Sequence, residues 1–303
     1  MAYFLAIDGG GTKTECVIGD EHHVLGSAIG GTIKIRKVGT KAAGEALQSA
    51  ISESCERARV TPTQISRTCI GLAGSSIPEV SEWTRSTLQK MVSGEVTVVN
   101  DTTIAHHAAF RGGAGVLVIA GTGSNVLGIN ERGETARAGG WGPIISDEGS
   151  GFWIGRTAVA QSMRAHDGGR STDLLNAIIE AWSLGSREEV VAMANSNPPP
   201  DFAALLRAVL KCADSGDALS REILSSAANE LAQLSRIVVR KLWSSGEKVR
   251  IAVTGGVFAH SPQIRQMFSN AIRAERPGIE VNLDPVHPVM GALAMARKPS
   301  VIP

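Results

Sequence analysis

Three glycine-rich segments of this 303-residue chain have compositions that could bind phosphate or a nucleoside. The first, Asp8-Gly-Gly-Gly-Thr-Lys-Thr14, follows a short apolar run and has no bulky side chain in its turn. Glycines let backbone N–H groups close on an anion and tolerate positive φ, and threonine hydroxyls add donors. A second strand rather than a helix follows, which excludes a Walker loop and a dinucleotide fingerprint. An ordinary hairpin needs fewer glycines, so we predict a phosphate-binding turn.

Two later segments repeat this composition. Gly121-Thr-Gly-Ser-Asn125 lies between two apolar runs, and Thr254-Gly-Gly-Val-Phe258 lies between a predicted strand and a predicted helix. In the segment 254–258, glycines would let a flat base or ribose lie against the backbone. Each segment alone is a weak signal because Gly-Gly turns are common. Their order along the chain makes them specific.

Asp101 follows the apolar run 96–100, and therefore stands at the carboxyl end of a predicted strand. Open α/β sheets place their ligand crevice at that end. Phosphoryl transfer needs a carboxylate that accepts or orients the proton of the acceptor hydroxyl, and Mg²⁺ that neutralises charge between phosphates. Asp101 suits the first role, and Asp8 suits the second through metal-bound water. The alternative for Asp101 is a helix N-cap, a role also open to Thr102 and Thr103.

Asp147-Glu148 is either an acid site or a solvated turn. The flanking glycines and Trp141 favour Asp147 as an acceptor for sugar hydroxyls, with Glu148 in structural hydrogen bonds. His106-His107 has no partner ligands at metal spacing, so we interpret it as part of a helix face.

The apolar patterns predict the elements that position these residues. The first part alternates strands with helices, which implies a mixed sheet with helical crossovers: strands at 3–7, 15–19, 24–29, 68–73 and 96–100, and helices at 41–58 and 79–92. The second part begins with strands at 115–120 and 126–130, is largely helical over 150–244, and has a strand at 249–253 and a short helix at 288–297 that packs on the sheet.

The pattern restarts after Arg111, where we place a domain boundary. Residues 1–111 form the N-terminal domain, with 288–303 packing back on it, and 112–287 form the C-terminal domain with a helical insertion. A strand that runs into a Gly/Thr hairpin occurs at 7–12 and again at 119–124. This repetition predicts two similar halves that face each other across a cleft.

Composition excludes several function classes. Lys plus Arg number 30 against 29 Asp plus Glu, which argues against a nucleic-acid partner because phosphate-backbone binding needs a cationic surplus. The four cysteines are scattered, without the local spacing of a zinc or iron–sulfur site. No basic leader precedes Asp8, and no apolar run reaches the about 18–20 residues that cross a membrane. We expect a cytoplasmic protein.

The order strand–GGGT, strand–Asp, strand–GTGS, strand–TGG resembles the sugar kinase/Hsp70/actin superfamily of ATPases. Gly139-Gly-Trp-Gly142, followed by Ser146-Asp-Glu-Gly-Ser-Gly151, is similar to the N-acetylglucosamine kinase-like branch of the BadF/BadG/BcrA/BcrD ATPase family. The resemblance implies an α/β fold of two actin-like (ribonuclease H-like) domains with mixed sheets across a nucleotide and sugar cleft. It also implies ATP- and Mg²⁺-dependent phosphorylation of a hydroxyl of an amino sugar, N-acetylglucosamine or a related hexosamine, by a homodimer.

The resemblance assigns roles residue by residue. Asp101 matches the catalytic base, whereas the metal role of Asp8 rests on its place beside the glycine turn. Nucleotide contacts fall on Gly10, Gly11, Thr12, Lys13, Gly121, Thr122, Gly123, Gly255, Gly256 and Ala259, and sugar contacts on Asp101, Asn125, Trp141, Gly142 and Asp147. Lys34 departs from the family, which has an asparagine on the sugar after the third strand. It either lines the sugar cleft and favours an anionic acceptor, or belongs to a solvated basic face with Arg36, Lys37 and Lys41.

Two other functions stay open. The activators of radical acyl-CoA reductases and dehydratases are related ATPases, but they need cysteines that meet at a dimer interface, and no such pairing is evident. A nucleotide-binding regulator would carry a DNA-binding segment, and no basic recognition helix is present. Glucosamine, N-acetylglucosamine and N-acetylmuramic acid are alternative acceptors, since loops read their one or two differing substituents.

Overall fold

Two mixed sheets of five strands organise the fold, and each sheet belongs to its own unit. The computed structural model describes residues 2–11, 13–284 and 286–298. Within these residues, the first unit runs to Gly113 and resumes at Val286, and the second unit begins at Ala114.

The sheet of the first unit has the order β3-β2-β1-β4-β5. Strands β1, β2 and β3 pair antiparallel, whereas β4 and β5 extend β1 in parallel. The elements are β1 (Tyr3–Gly9), β2 (Lys13–Gly19), β3 (Val24–Gly31), α1 (Ile35–Ala58), β4 (Ile65–Leu72), α2 (Pro78–Met91), β5 (Glu95–Val99) and α3 (Asp101–Phe110).

The sheet of the second unit has the order β8-β7-β6-β9-β10, which repeats the order of the first sheet strand for strand. The prediction of two similar halves is therefore confirmed at the level of topology. The elements are β6 (Gly115–Ala120), β7 (Ser124–Ile129), β8 (Thr135–Gly139), α4 (Gly151–Asp167), α5 (Leu174–Ala181), α6 (Arg187–Ala194), α7 (Leu206–Asp214), α8 (Ala218–Leu242), β9 (Val249–Thr254), α9 (Gly256–His260), α10 (Pro262–Glu275) and β10 (Ile279–Asn282).

The last described helix, α11 (Pro288–Arg297), packs on α3 and β1 of the first unit. Gly291 allows this contact, because a Cβ there would lie 1.9 Å from the Ile104 carbonyl oxygen. The Arg67 guanidinium donates to the carbonyls of Ala296 and Arg297, each at 2.7 Å, and so fixes the end of the helix. Helices therefore cover both faces of the first sheet, with α1 and α2 on the face opposite α3 and α11. Central strand β1 is consequently an almost continuous apolar run.

The sequence patterns misplace or omit three elements. Helix α1 begins at Ile35 rather than at 41, and its backbone breaks at Gly39, where φ is 79°. Strands β8 and β10 are absent from the prediction, since β8 has one β-branched residue among five and β10 spans only four residues. Among the described residues, the helices lack the combination of length and apolarity that crossing a membrane requires.

Candidate functional site

The first glycine-rich turn joins β1 to β2 and follows Asp8 directly. A Cβ on Gly9 would lie 2.8 Å from Leu72 Cδ1, and one on Gly10 would lie 2.9 Å from the Lys13 carbonyl oxygen. Neither residue, nor Gly11, has a positive φ. This turn therefore does not depend on positive φ at its glycines; Gly9 and Gly10 are needed because neighbouring atoms approach closely. Thr12 lies outside the described residues.

The loop after β3 and the first turn of α1 hold this turn from one side. Thr32 Oγ1 donates to the Gly10 carbonyl at 3.0 Å, and Lys37 Nζ donates to the Gly11 carbonyl at 3.4 Å. Sequence reasoning missed Thr32, because nothing in the local pattern links it to a turn about twenty residues earlier.

Asp101 is the first residue of α3, and Asn100 is the N-cap. The Asn100 Oδ1 atom accepts hydrogen bonds from the Thr102 N–H at 3.1 Å and from Thr102 Oγ1 at 2.7 Å. The capping alternative for Asp101, Thr102 and Thr103 is therefore wrong. Asp101 Oδ1 accepts from the Thr102 N–H at 2.8 Å. The positive end of the helix dipole favours a carboxylate at this position.

Asp8 and Asp101 influence each other electrostatically. Burial raises the pKa of Asp8 to about 6, with further contributions from the negative charges of Asp101 and Glu15, whereas Lys13 lowers it. A half-buried carboxyl group beside a second carboxylate would be stabilised in its ionised form by a bound cation.

The donor set at Asp8 fits Mg²⁺ held mainly by water and phosphate. No group of three or more His, Cys, Asp or Glu side chains arranged for a metal ion occurs within 2–11, 13–284 and 286–298. Mg²⁺ commonly uses one or two carboxylates and completes its shell with waters and substrate phosphates. A single acid beside a glycine-rich turn agrees with that mode.

The second glycine-rich turn joins β6 to β7 in the other unit. The Gly121 N–H donates to the Gly123 carbonyl at 2.9 Å. The first N–H groups of α4 donate to the same turn, from Gly151 to the Gly121 carbonyl at 2.8 Å and from Phe152 to the Thr122 carbonyl at 3.1 Å. The Thr122 side chain is exposed, so its hydroxyl remains available to a ligand.

The third glycine-rich segment packs directly on the second turn. Gly255 has a φ of 101°, and a Cβ there would lie 2.3 Å from the Ala120 carbonyl oxygen and 3.0 Å from the Gly121 nitrogen. Gly256 and Ala259 are exposed next to it. The structure thus brings together two segments that are separated by more than one hundred residues of sequence.

Asp147 is buried beside the second turn, with 7% of its surface exposed. Burial raises its pKa and the Glu148 charge adds to this effect, while hydrogen bonds from the backbone N–H groups of Ser124 and Gly142 lower it. A Cβ on Gly123 would lie 2.8 Å from Asp147 Oδ2. Asp147 also has a left-handed backbone, with a φ of 64°.

Glu148 makes the structural hydrogen bonds expected of it. Its Oε2 atom accepts from Ser146 Oγ at 2.7 Å, and its carbonyl accepts from Ser124 Oγ at 2.7 Å. These bonds fix the loop that carries Asp147 to the start of β7.

Asn125 lies on β7, and Trp141 lies just after the end of β8. Asn125 pairs in register with Gly139, and its buried Oδ1 atom has no hydrogen-bond partner among the described residues. Gly140 follows, where a Cβ would lie 3.1 Å from the Asn125 side chain. Trp141 is 75% exposed, and Gly142 has a φ of 96°. A buried acceptor without a partner is costly, so a ligand donor at Asn125 would stabilise the site.

The remaining candidates are placed clearly. His106 and His107 both lie on α3, and the His106 ring packs 4.7 Å from the Phe110 ring, as expected for a helix face. Lys34 is exposed at the N-cap of α1 and lines a cavity of the first unit.

Comparisons with known proteins agree on one family. The model of the BadF/BadG/BcrA/BcrD ATPase family matches residues 5–296. The N-acetylmuramic acid/N-acetylglucosamine kinase of Clostridium acetobutylicum is 31% identical, over 98% of this chain and 99% of the relative. The N-acetyl-D-glucosamine kinase of Dictyostelium discoideum is 29% identical, over 97% of each chain. A crystal structure of a candidate N-acetylglucosamine kinase from Chromobacterium violaceum is 20% identical, with a TM-score of 0.76 over 98% of this chain and 99% of that one, which shows a shared fold.

Proposed function

The chain belongs to the BadF/BadG/BcrA/BcrD ATPase family, and from this membership we propose that it transfers the γ-phosphoryl group of ATP to a hydroxyl group of an amino sugar. The two curated relatives are named as kinases of N-acetylated amino sugars, so N-acetylglucosamine and N-acetylmuramic acid are the first acceptors to consider. The observation that carries the proposal is the placement of Asp101 after β5, with capping left to Asn100.

Asp101 is the proposed base. Its carboxylate would accept the proton of the acceptor hydroxyl as the O–H bond breaks and the new O–P bond forms, while ADP leaves with the electrons of the cleaved P–O bond. Because Asn100 caps α3, the cap does not depend on the Asp101 carboxylate.

The glycine turns are the proposed nucleotide-binding elements. Backbone N–H groups of Gly10, Gly11, Thr122 and Gly123 would bind phosphate oxygens, with Gly121 shaping the second turn through its bond to the Gly123 carbonyl, and the Lys13 ammonium would add a charge. Gly255, Gly256 and Ala259 would contact the nucleoside. Asp8 would hold Mg²⁺ through bound water, and the ion would neutralise charge between the phosphates.

Four residues of the second unit are the proposed sugar contacts. Asn125 Oδ1 is a buried acceptor that a sugar N–H or O–H would satisfy. Asp147 would accept hydrogen bonds from sugar hydroxyls, Trp141 would offer an apolar ring face, and the backbone of Gly142 can approach closely for lack of a side chain. The homodimer and the cytoplasmic location remain predictions.

The test is ATP turnover over a panel of glucosamine, N-acetylglucosamine, N-acetylmuramic acid and glucose, with ADP and the phosphorylated sugar both quantified. Formation of ADP and sugar phosphate in equal amounts, only when an amino sugar is present, is the expected result. The activator alternative predicts ATP hydrolysis without sugar and bound iron, and it conflicts with the burial of all four cysteines, Cys16, Cys55, Cys69 and Cys212. A regulator would bind ATP without turnover.

A further inference from the structure

A cavity of about 360 Å³ in the first unit lies between the start of α1 and the segment that leads into α2. Its wall is apolar and includes Ile33, Leu72 and Ile77, whereas its charged groups are Lys34 and Arg36. The volume lies near the lower end of small-molecule sites, which span roughly 300–1,000 Å³. Such a cavity fits a short apolar arm that ends in a polar group.

The two cations of this cavity have no charge partner within the described part of the chain. Neither Lys34 nor Arg36 forms an ion pair there, and the first turn of α1 contains no acidic residue. Glu79, which lies in the first turn of α2, does not line the cavity. Lys37 differs, because its ammonium donates to the Gly11 carbonyl. Among the described residues no carboxylate lines the cavity, so an anion there would meet the positive charges of Lys34 and Arg36 at the wall.

The cavity shares a wall with the proposed phosphate turn. A Cβ on Gly9 would lie 2.8 Å from Leu72 Cδ1 and 2.9 Å from Ile33 Cδ1, so both cavity residues contact the residue that follows Asp8. The Lys34 N–H donates to Thr32 Oγ1 at 3.2 Å, and that hydroxyl donates to the Gly10 carbonyl. A group bound in the cavity would consequently lie next to Asp8 and the glycine turn.

We infer that this cavity is a subsite for an anionic substituent of the acceptor sugar, a carboxylate carried on a short apolar arm. Lys34 and Arg36 bind the carboxylate, and Ile33, Leu72 and Ile77 contact the arm. The inference rests on the proposed function, since it concerns the acceptor of the same phosphoryl transfer. The apolar wall favours such an arm over the phosphates of ATP, which bring no apolar surface.

The experiment compares N-acetylmuramic acid with its neutral amide, which keeps the arm and removes the charge. The kcat/KM for N-acetylmuramic acid divided by the kcat/KM for its amide is measured for the wild-type chain and for three variants, Lys34→Gln, Arg36→Gln and Lys41→Gln. Lys41→Gln is the control, because it changes an exposed lysine of α1 outside the cavity lining. A charge-assisted hydrogen bond contributes about 1.5–3 kcal/mol, so each cavity variant should lower the ratio about 10- to 100-fold. Lys41→Gln should leave the ratio unchanged.

Two results would overturn the inference: an unchanged ratio in both cavity variants, or a rise in the KM for ATP as their main effect. If the wild-type chain phosphorylates no acceptor, the proposed function fails separately. Calorimetric binding of N-acetylmuramic acid and its amide to the same four proteins then decides the role of the cavity, and equal binding of the two sugars to the wild-type chain would refute it. Thermal unfolding checks that each variant is folded.

Discussion

Replacing Gly255 with alanine should destabilise the second unit and weaken ATP binding, whereas the same change at Gly256 should not destabilise the unit. The two glycines are neighbours in the turn between β9 and α9. Gly255 combines a φ of 101° with a close approach to β6. Gly256 has neither feature, and its nearest prospective Cβ contact is at 4.0 Å. It is therefore a matched control for the removal of a glycine.

The magnitude follows from two separate costs at Gly255. Its φ of 101° and ψ of 163° lie in a region that is essentially restricted to glycine, where another residue costs roughly 1–3 kcal/mol. A Cβ would also lie 2.3 Å from the Ala120 carbonyl oxygen, a backbone atom of the central strand β6. Overpacking of this kind typically costs about 1–3 kcal/mol. The sum is roughly 2–6 kcal/mol, whereas alanine at Gly256, in the first turn of a helix, should be neutral or stabilising by up to about 1 kcal/mol.

The assay is thermal unfolding of the wild-type chain and both variants, together with titration of ATP. At about 2–4 °C per kcal/mol for a domain of this size, Gly255→Ala should lower Tm by roughly 4–24 °C. Its KM for ATP should also rise, because relief of the clash displaces Ala120 and with it the Gly121 turn. Equal Tm values for Gly255→Ala and Gly256→Ala would refute the reasoning, since the two changes add the same methyl group and differ only in backbone conformation and in the space around it.

Three further substitutions test individual roles. Asp101→Asn should keep Tm and ATP affinity but lower kcat by about 10²- to 10⁴-fold, and a rate within tenfold of wild type would remove Asp101 from the role of base. Asp8→Asn cannot ionise, whereas the pKa of Asp8 is raised from 3.8 to about 6. Without Mg²⁺ the Tm of the variant should equal the wild-type Tm below pH 4. Between pH 4 and about 6 the variant's Tm should exceed the wild-type Tm by an increasing amount, and above pH 6 that difference should stay constant. A difference that does not depend on pH would contradict this account. Trp141→Ala should raise the KM for the sugar about 3- to 10-fold without changing Tm, since the ring is 75% exposed, and an unchanged KM would exclude a sugar contact.

Much of the fold was predictable because apolar runs and glycine turns alternate regularly in both halves. One boundary that bears directly on the candidate site is the end of β5. That strand ends at Val99, one residue earlier than predicted, and the released Asn100 becomes the N-cap. The apolar pattern cannot distinguish a last strand residue from a cap, since both have extended backbones. Because Asn100 caps the helix, the role proposed for Asp101 does not have to include capping.

The reason for the glycines was less predictable than their presence. Gly9 is required by Leu72 and Gly123 by Asp147, residues more than twenty positions away along the chain. A local pattern shows a run of glycines but not the side chains that pack against them. The Thr32 hydrogen bond to Gly10 and the register of Asn125 with Gly139 were unpredictable for the same reason.

The two units share one strand topology but differ in the side chains that it carries. In each unit a central strand runs into a glycine turn, and Asp8 in the first corresponds by sequence position to Ala120 in the second. The first turn therefore carries an acid that fits a cation, whereas the second offers N–H groups and a hydroxyl that fit phosphate oxygens. In the second unit a buried acid, Asp147, lies instead on the loop between β8 and α4. Chemistry in this chain is thus set by single side chains placed on a repeated frame, and the frame alone would not predict which turn carries an acid that fits a cation.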